Sequence, residues 1–304
     1  MNNKPIIKWV GGKTQIINKI MDNFPKEINN YYELFLGGGS VLLGLLEMQK
    51  TNRIKINGSI NAYDVNPILI CMFINIRDNP KELYKYIKKL LYHFNIISIN
   101  NGGDRKIKST NQITSKENFY YWLRYKFNKL IKKEKSIRVS AIFIFLNKTC
   151  FRGVYREGPN GFNVPYGNYN NKTEFKIINK KHLMEISELI KNVNFINSDF
   201  ENSFKDSYNV NDLIYLDPPY APINNKSFVG YVADGFNIDK HKKLFELIKT
   251  ASNNNVRFIM SNADVSIVRE TFEQYNIMTI LCKRSINSKN PESKVNEVLI
   301  KNFI

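Results

Sequence analysis

The sequence is poor in the side chains that build disulfides and metal sites. It has three cysteines and three histidines among 304 residues. Cys71, Cys150 and Cys282 are odd in number and far apart, which argues against a disulfide framework. With so few histidines, a zinc site is not expected either. Long apolar runs are also missing. The longest, VSAIFIFL at 139–146, has the length of a buried element and falls well short of the roughly 18–20 residues of a membrane span. The N-terminal MNNKPIIKWVGGK carries no signal-peptide core or cleavage site. The expectation is an intracellular, reduced protein with no membrane partner and no metal. At 43% hydrophobic, the chain can fill the core of one large α/β domain plus a smaller unit.

Acid is scarce as well: 27 Asp and Glu stand against 45 Lys and Arg, for a net charge of +18. Richness in Asn, Lys and Ile, as an AT-rich genome encodes, inflates that total. Its distribution is more informative. Between Ile76 and Met184 lie 23 basic and 7 acidic residues, leaving 22 and 20 for the rest of the chain. A basic block beside a near-neutral remainder is the footprint of a polyanion partner, most simply nucleic acid. The alternative is a solvated helical surface.

Strand and helix alternate at the start. NNYYELFL reads as a strand, GGG as a turn, and SVLLGLLEMQK from Ser40 as a helix. INAYDV is a second strand ending at Asp64, followed by the helix NPILICMFINIR. That order favours a parallel, doubly wound sheet. Residues 79–94 and 115–146 are basic, aromatic-studded and helical in period, with a loop between them. NKTCFRGVYREGPNGFNVPYGNYNNKT (147–173) is rich in turn residues and reads as a hairpin with an arginine on each side of GVY. The α/β pattern then resumes. The fold expected is an α/β sheet over 1–75 and 185–304, interrupted by a basic, mainly helical insertion over 76–184 that carries the hairpin.

Three short segments carry chemistry. In ELFLGGGS (Glu33 to Ser40), glycines between strand and helix let backbone approach a ligand at a helix N-terminus, although a tight βα turn looks the same. A dinucleotide fingerprint would need glycine where Leu42 stands, and a P-loop in KWVGGKT (Lys8 to Thr14) would need glycine at Ile7. Asp64 could accept ribose hydroxyls or begin a helix. The third segment is LIYLDPPYAP, from Leu213. Two prolines after Asp217 make a stiff, extended exit from a strand. It presents a carboxylate, carbonyls freed from the ladder, and the Tyr220 ring. Those groups suit a flat ring carrying an amine. The Asp217 carboxylate and Pro218 carbonyl would accept from the N–H bonds of an adenine amine and localise its lone pair, while Tyr220 stacks on the base.

KWVGGK, FLGGG (Phe35, Gly37, Gly39) and DPPY, in that order, resemble the Dam-type (α-arrangement, D12 class) DNA adenine-N6 methyltransferases. NKTCFRGVYR, FNVPYGNY, SDF and MSN extend the likeness over nearly the whole chain. The resemblance implies a Rossmann-like S-adenosylmethionine-dependent methyltransferase sheet with an inserted target-recognition domain, where the basic block falls. It implies that Trp9, Lys13, Phe35, Gly37, Gly39, Asp64, Asp199, Phe200 and Asp217 hold S-adenosylmethionine, and that Asp217, Pro218, Pro219 and Tyr220 form the catalytic pocket. Such enzymes flip the target adenine out of double-stranded DNA. The segment 147–169, through Asn147, Lys148, Arg152, Arg156, Asn163 and Tyr166, would contact DNA and read bases in the major groove.

Arg156 matches an arginine that contacts guanine in Dam-like enzymes. Arg152 stands where GATC-type enzymes commonly have asparagine, so a GATC target and another palindrome such as CATG are equally admissible. Leu34, where many relatives have proline, is expected to matter little. A cognate restriction endonuclease acting on the same site is a possible partner. Two other readings stay open: methylation of RNA or of a protein amide, and a catalytically silent DNA-binding relative. The complete Asp-Pro-Pro-Tyr segment and Gly37 speak against silence.

Overall fold

The computed structural model describes residues 4–131, 134–167, 177–204, 208–221, 236–283 and 294–304. Seven of its strands form one sheet: β2 (Tyr31–Glu33), β4 (Ile60–Asp64), β7 (Val193–Asn197), β8 (Leu213–Leu216), β9 (Arg257–Ala263), β10 (Asn276–Lys283) and β11 (Lys294–Lys301). Two shorter strands, β1 (Glu27–Ile28) and β3 (Lys55–Ile56), pair in parallel beside it. The sheet order is β10-β11-β9-β8-β2-β4-β7. The five strands from β9 to β7 run parallel, and β11 runs antiparallel to both β9 and β10. β2 and β8 are buried at every position, as parallel strands covered on both faces must be.

Among the described residues there are ten α-helices. Their starts are legible. α2 (Ser40–Lys50) begins after Gly39, and α3 (Pro67–Asp78) has proline at its first position behind the Asn66 side chain, which accepts from the amides of Ile68 and Leu69. α4 (Pro80–Asn95) follows α3 directly. The helical stretch expected over 115–146 is two helices, α5 (Lys116–Leu130) and α6 (Ile137–Thr149). The Ser136 hydroxyl accepts from the Val139 amide and starts α6 afresh, which periodicity alone did not reveal. α6 is buried almost all round, from Val139 to Leu146, and packs against α3, α4 and α5. One apolar cluster runs without a break from the sheet into these helices. The helix ends nearest the expected limits of the insertion are Asp78, closing α3, and Lys180, opening α7 (Lys180–Leu189).

The hairpin is β5 (Glu157–Gly158) paired antiparallel with β6 (Gly161–Phe162) around Pro159 and Asn160. It therefore lies after GVY, and both arginines precede it. Arg152 sits in a short 3-10 turn with φ of 57°, and Arg156 stands just before β5. Residues 168–169 of the expected reading segment lie outside the described residues. Among the described residues no helix is long and apolar enough to cross a membrane.

Candidate active site

Chain order places the site. From β2 the chain moves outward to β4 and β7, and from β8 it moves the other way to β9, β11 and β10. Order therefore reverses between β2 and β8, and the crevice beyond their carboxyl ends is where open α/β sheets take ligands. ELFLGGGS leaves β2 there and Asp-Pro-Pro-Tyr leaves β8 beside it. The β2 chain stays laddered past Glu33: Leu34 donates to the Tyr215 carbonyl at 3.2 Å and Leu36 to the Tyr63 carbonyl at 2.8 Å.

Gly37 and Gly39 have φ of 50° and 75°, the left-handed region that disfavours side chains. A Cβ on Gly37 would come within 2.9 Å of Trp9 Cδ1, and one on Gly39 within 2.9 Å of Phe73 Cζ. The glycines thus let the turn close on an indole and on helix α3. Asp64, at the end of β4, fixes the same turn. Its carboxylate accepts from the Gly37 amide at 2.9 Å and the Asn66 amide at 2.8 Å. Burial pushes this acid up and the two amides pull it back.

Lys13 is almost fully buried. Its ammonium donates to Asp217 Oδ2 and to the Gly11 carbonyl, each at 2.7 Å, and lies 4.9 Å from the centroid of the Tyr220 ring. Its amide donates to Ser40 Oγ at 3.0 Å, tying KWVGGK to the first turn of α2. The Asp217 side chain is 18% exposed. Burial raises its carboxyl, Lys13 opposes that, and the Glu297 carboxylate adds to the rise. Pro218 is buried and Pro219 exposed. The Ala221 amide donates to Oδ1 of buried Asn262 at 3.1 Å, so the MSN segment at the end of β9 clips the proline exit in place. Trp9, Lys13, Gly38, Ser40 and Tyr220 line a cleft of about 1160 Å³, with Lys148 and Arg152 on its wall.

Phe35, Phe200 and Phe236 form an aromatic cluster nearby, Phe35 against Phe200 with centroids 5.9 Å apart and Phe236 against each at 5.7 and 5.3 Å. Asp199 caps the short helix α8 (Phe200–Ser203), accepting from the Asn202 amide at 2.9 Å. Among the described residues no three His, Cys, Asp or Glu side chains gather as a metal site requires.

The residues expected to meet DNA divide by burial. Arg152, Arg156 and Asn163 are exposed, and Arg156 Nε donates to Asn163 Oδ1 at 2.7 Å. Lys148 is partly buried, and desolvation, with repulsion from Lys8, lowers its ammonium to about 8. Asn147 is buried with its amide engaged: it accepts from the Lys8 amide at 2.9 Å and donates to the carbonyls of Lys8 and Gly153. Tyr166 is buried too, against Tyr120 and Phe94. These two hold the base of the hairpin.

Residues 9–286 match the family model described as D12 class N6 adenine-specific DNA methyltransferase. The chain belongs to that family. It is 34% identical to the Type II methyltransferase M.MjaIII of Methanocaldococcus jannaschii, over the whole of both chains. It is 27% identical to the Type II methyltransferase M1.LlaDCHI of Lactococcus lactis, covering 100% of this chain and 96% of that one. Against the DNA adenine methylase of Haemophilus influenzae identity is 28%, covering 97% and 91%. Membership of the family makes this a site-specific enzyme methylating adenine N6 in DNA, with S-adenosylmethionine as methyl donor.

Four side chains around this methyltransferase site escaped sequence reasoning. Glu33 is buried under the turn with Tyr31 donating to it at 2.7 Å, and its carboxyl is pushed up to about 8. Glu297 accepts from Tyr220, Asn262 clips the proline exit, and Tyr155 stacks on Trp9 at 5.3 Å. Glu33, Tyr155 and Asn262 stood inside segments already singled out. Glu297, and the pairing of Tyr155 with Trp9, depend on tertiary contacts that no local pattern reports.

Proposed function

We propose that Asp217, Pro218 and Tyr220 receive an adenine flipped out of duplex DNA, within a short palindrome of the GATC or CATG kind. The observation that carries this reading is the Lys13 ammonium: an N–H donor already seated on the Asp217 carboxylate with the Tyr220 ring beside it. The amine of the target base presents the same kind of donor. Its nitrogen is a poor nucleophile while its lone pair is delocalised into the ring. Acceptance of its N–H bonds by Asp217 and the Pro218 carbonyl localises that lone pair, and stacking on Tyr220 fixes the approach.

The donor set fits S-adenosylmethionine. Lys13 complements a carboxylate and Asp64 keeps lone pairs beyond its two amide bonds. Trp9 offers an aromatic face beside the Gly37–Gly39 turn, and Phe35, Phe200 and Asp199 offer a place for the adenine end. Once bound, the cofactor supplies an electrophilic methyl group. Asp217 holds the amine toward it and the packed site excludes water.

The insertion over 76–184 is assigned to target recognition. Its basic helices supply phosphate contacts, and exposed Arg152, Arg156 and Asn163 read base edges. Two relatives bear Type II methyltransferase names, which favours a cognate endonuclease acting on the same sequence.

The test is expression in a host without adenine methylation, with its DNA sequenced by a method that detects N6-methyladenine. Modification confined to one palindrome is expected. Modification without sequence preference would remove the reading role from the insertion. Absence of any from a protein that still binds S-adenosylmethionine would move the substrate to RNA.

A further inference from the structure

The Asp-Pro-Pro-Tyr segment fixes its own backbone, because each proline restricts the residue before it as well as itself. It does not fix the Tyr220 ring, which turns about two side-chain bonds. Something else must hold it.

That hold comes from two strands away in the same sheet. Glu297 lies on β11, between Ala263 of β9 and Ile280 of β10. The antiparallel return of β11 brings it across to the end of β8, 77 residues from Tyr220 in sequence. Glu297 Oε2 accepts the Tyr220 hydroxyl at 2.7 Å, and both residues line the cleft that holds Trp9 and Lys13. Burial, together with the field of the same carboxylate, raises the Cys282 thiol one strand over. Burial and the Asp217 and Glu297 carboxylates keep the phenol protonated, so it is always the donor.

We propose that Glu297 is a positioning residue for methyl transfer, holding the Tyr220 ring in the orientation that meets the target base. The proposal rests on the reading of Tyr220 as the base platform. A hydrogen bond to a charged acceptor is among the stronger and more directional ones, so it turns a mobile ring into a fixed face before the base arrives. In this role Glu297 acts on the ring and not on the reacting atoms. Its effect is transmitted through one phenol.

The experiment is single-turnover methylation at saturating DNA and S-adenosylmethionine for Y220F, E297A, E297Q and the Y220F/E297A pair. Loss of a charge-assisted hydrogen bond slows transfer roughly 10- to 150-fold. Y220F and E297A are each expected in that range, with an unchanged KM for S-adenosylmethionine. The double variant should be no slower than the slower single one within about twofold, since both remove the same bond. E297Q retains an acceptor and should recover most of the rate, which a merely structural role of the charge would not produce. Wild-type rates in E297A, or a full additional loss on adding E297A to Y220F, would overturn the proposal. Should E297A not fold, a wild-type rate in Y220F overturns it equally. Failure of the underlying reading looks different: D217A would then retain turnover, whatever the Glu297 variants do.

Discussion

The end of the parallel sheet and the segment around the 157–162 hairpin are built on opposite terms. At the sheet, Asp64, Asp217 and Lys13 are each held by defined partners in a packed setting, and a clipped proline exit closes the ring. At the hairpin the strands are two residues each, and the side chains that precede or follow it, Arg152, Arg156 and Asn163, are exposed. Chemistry on an adenine amine is the same at every target, so rigid placement serves it. Reading a sequence, the role proposed for the exposed three, needs side chains that reorganise against base edges, and a short turn on a firm base suits it. Buried Asn147 and Tyr166 supply that base.

The sharpest way to break this comparison is at Asp217. Asp217→Ala removes the acceptor for the amine, and methyl transfer should fall by on the order of 10²–10³-fold or more, while DNA affinity changes little. Single-turnover rates and a binding titration check both halves. Near-normal turnover would show that the buried end of the molecule is not where the chemistry lies.

Next in size is an effect on stability. Burial lifts Glu33 from 4.5 to about 8, against the pull of the Tyr31 hydroxyl and with a further push from Asp217 and Asp64. The folded chain then holds a proton that the unfolded chain releases near 4.5. Stability from this group is complete below that value and is lost as pH rises toward 8. Glu33→Gln should match the wild type in thermal melts near pH 4 and be more stable at pH 8, by on the order of a few kcal/mol. Identical melting profiles at both pH values would mean that Glu33 ionises freely.

What the sequence displayed and what it hid follow from the same division. Glycine and proline act on the backbone locally, so the turn at 37–39 and the exit at 217–220 were visible as runs of letters. Asparagine, serine and glycine at helix starts marked most elements, yet the Ser136 cap was lost inside a continuous basic and aromatic pattern. The acids around the site were not legible. Glu33 reads like any strand residue, and its raised carboxyl comes from what covers it. Glu297 acquires its partner only through the antiparallel return of β11. Over 147–166, residue type suggested DNA contact for six polar side chains, and burial then separated Asn147 and Tyr166 from Arg152, Arg156 and Asn163.

On the exposed side, Arg156→Ala should cost about 1–3 kcal/mol of discrimination at one base pair while leaving S-adenosylmethionine affinity as it was. Methylation rates on a set of singly substituted duplexes measure this. Unchanged preference would take Arg156 out of the reading role and leave Arg152 as the exposed arginine to test.

The smallest expected effect tests whether the two regions are separate. Trp9 touches both: its indole fills the space where a Gly37 side chain would be, and it stacks at 5.3 Å on Tyr155, next to Arg156. Gly37→Ala puts a methyl within 2.9 Å of Trp9 Cδ1 at a backbone φ of 50°, which disfavours any L side chain by roughly 1–2 kcal/mol. Because the turn is held to Asp64 through the Gly37 amide, relief comes from moving either the turn or the indole. Movement of the turn weakens S-adenosylmethionine binding by about tenfold, the equivalent of some 1.4 kcal/mol, and leaves base preference intact. Movement of the indole shifts Tyr155 and alters preference as well. The expectation is the first outcome, because Tyr155 is packed from its other sides by Phe162 and Phe143, which resist displacement of the stack. Cofactor titration and substituted-duplex rates on this single variant decide between them.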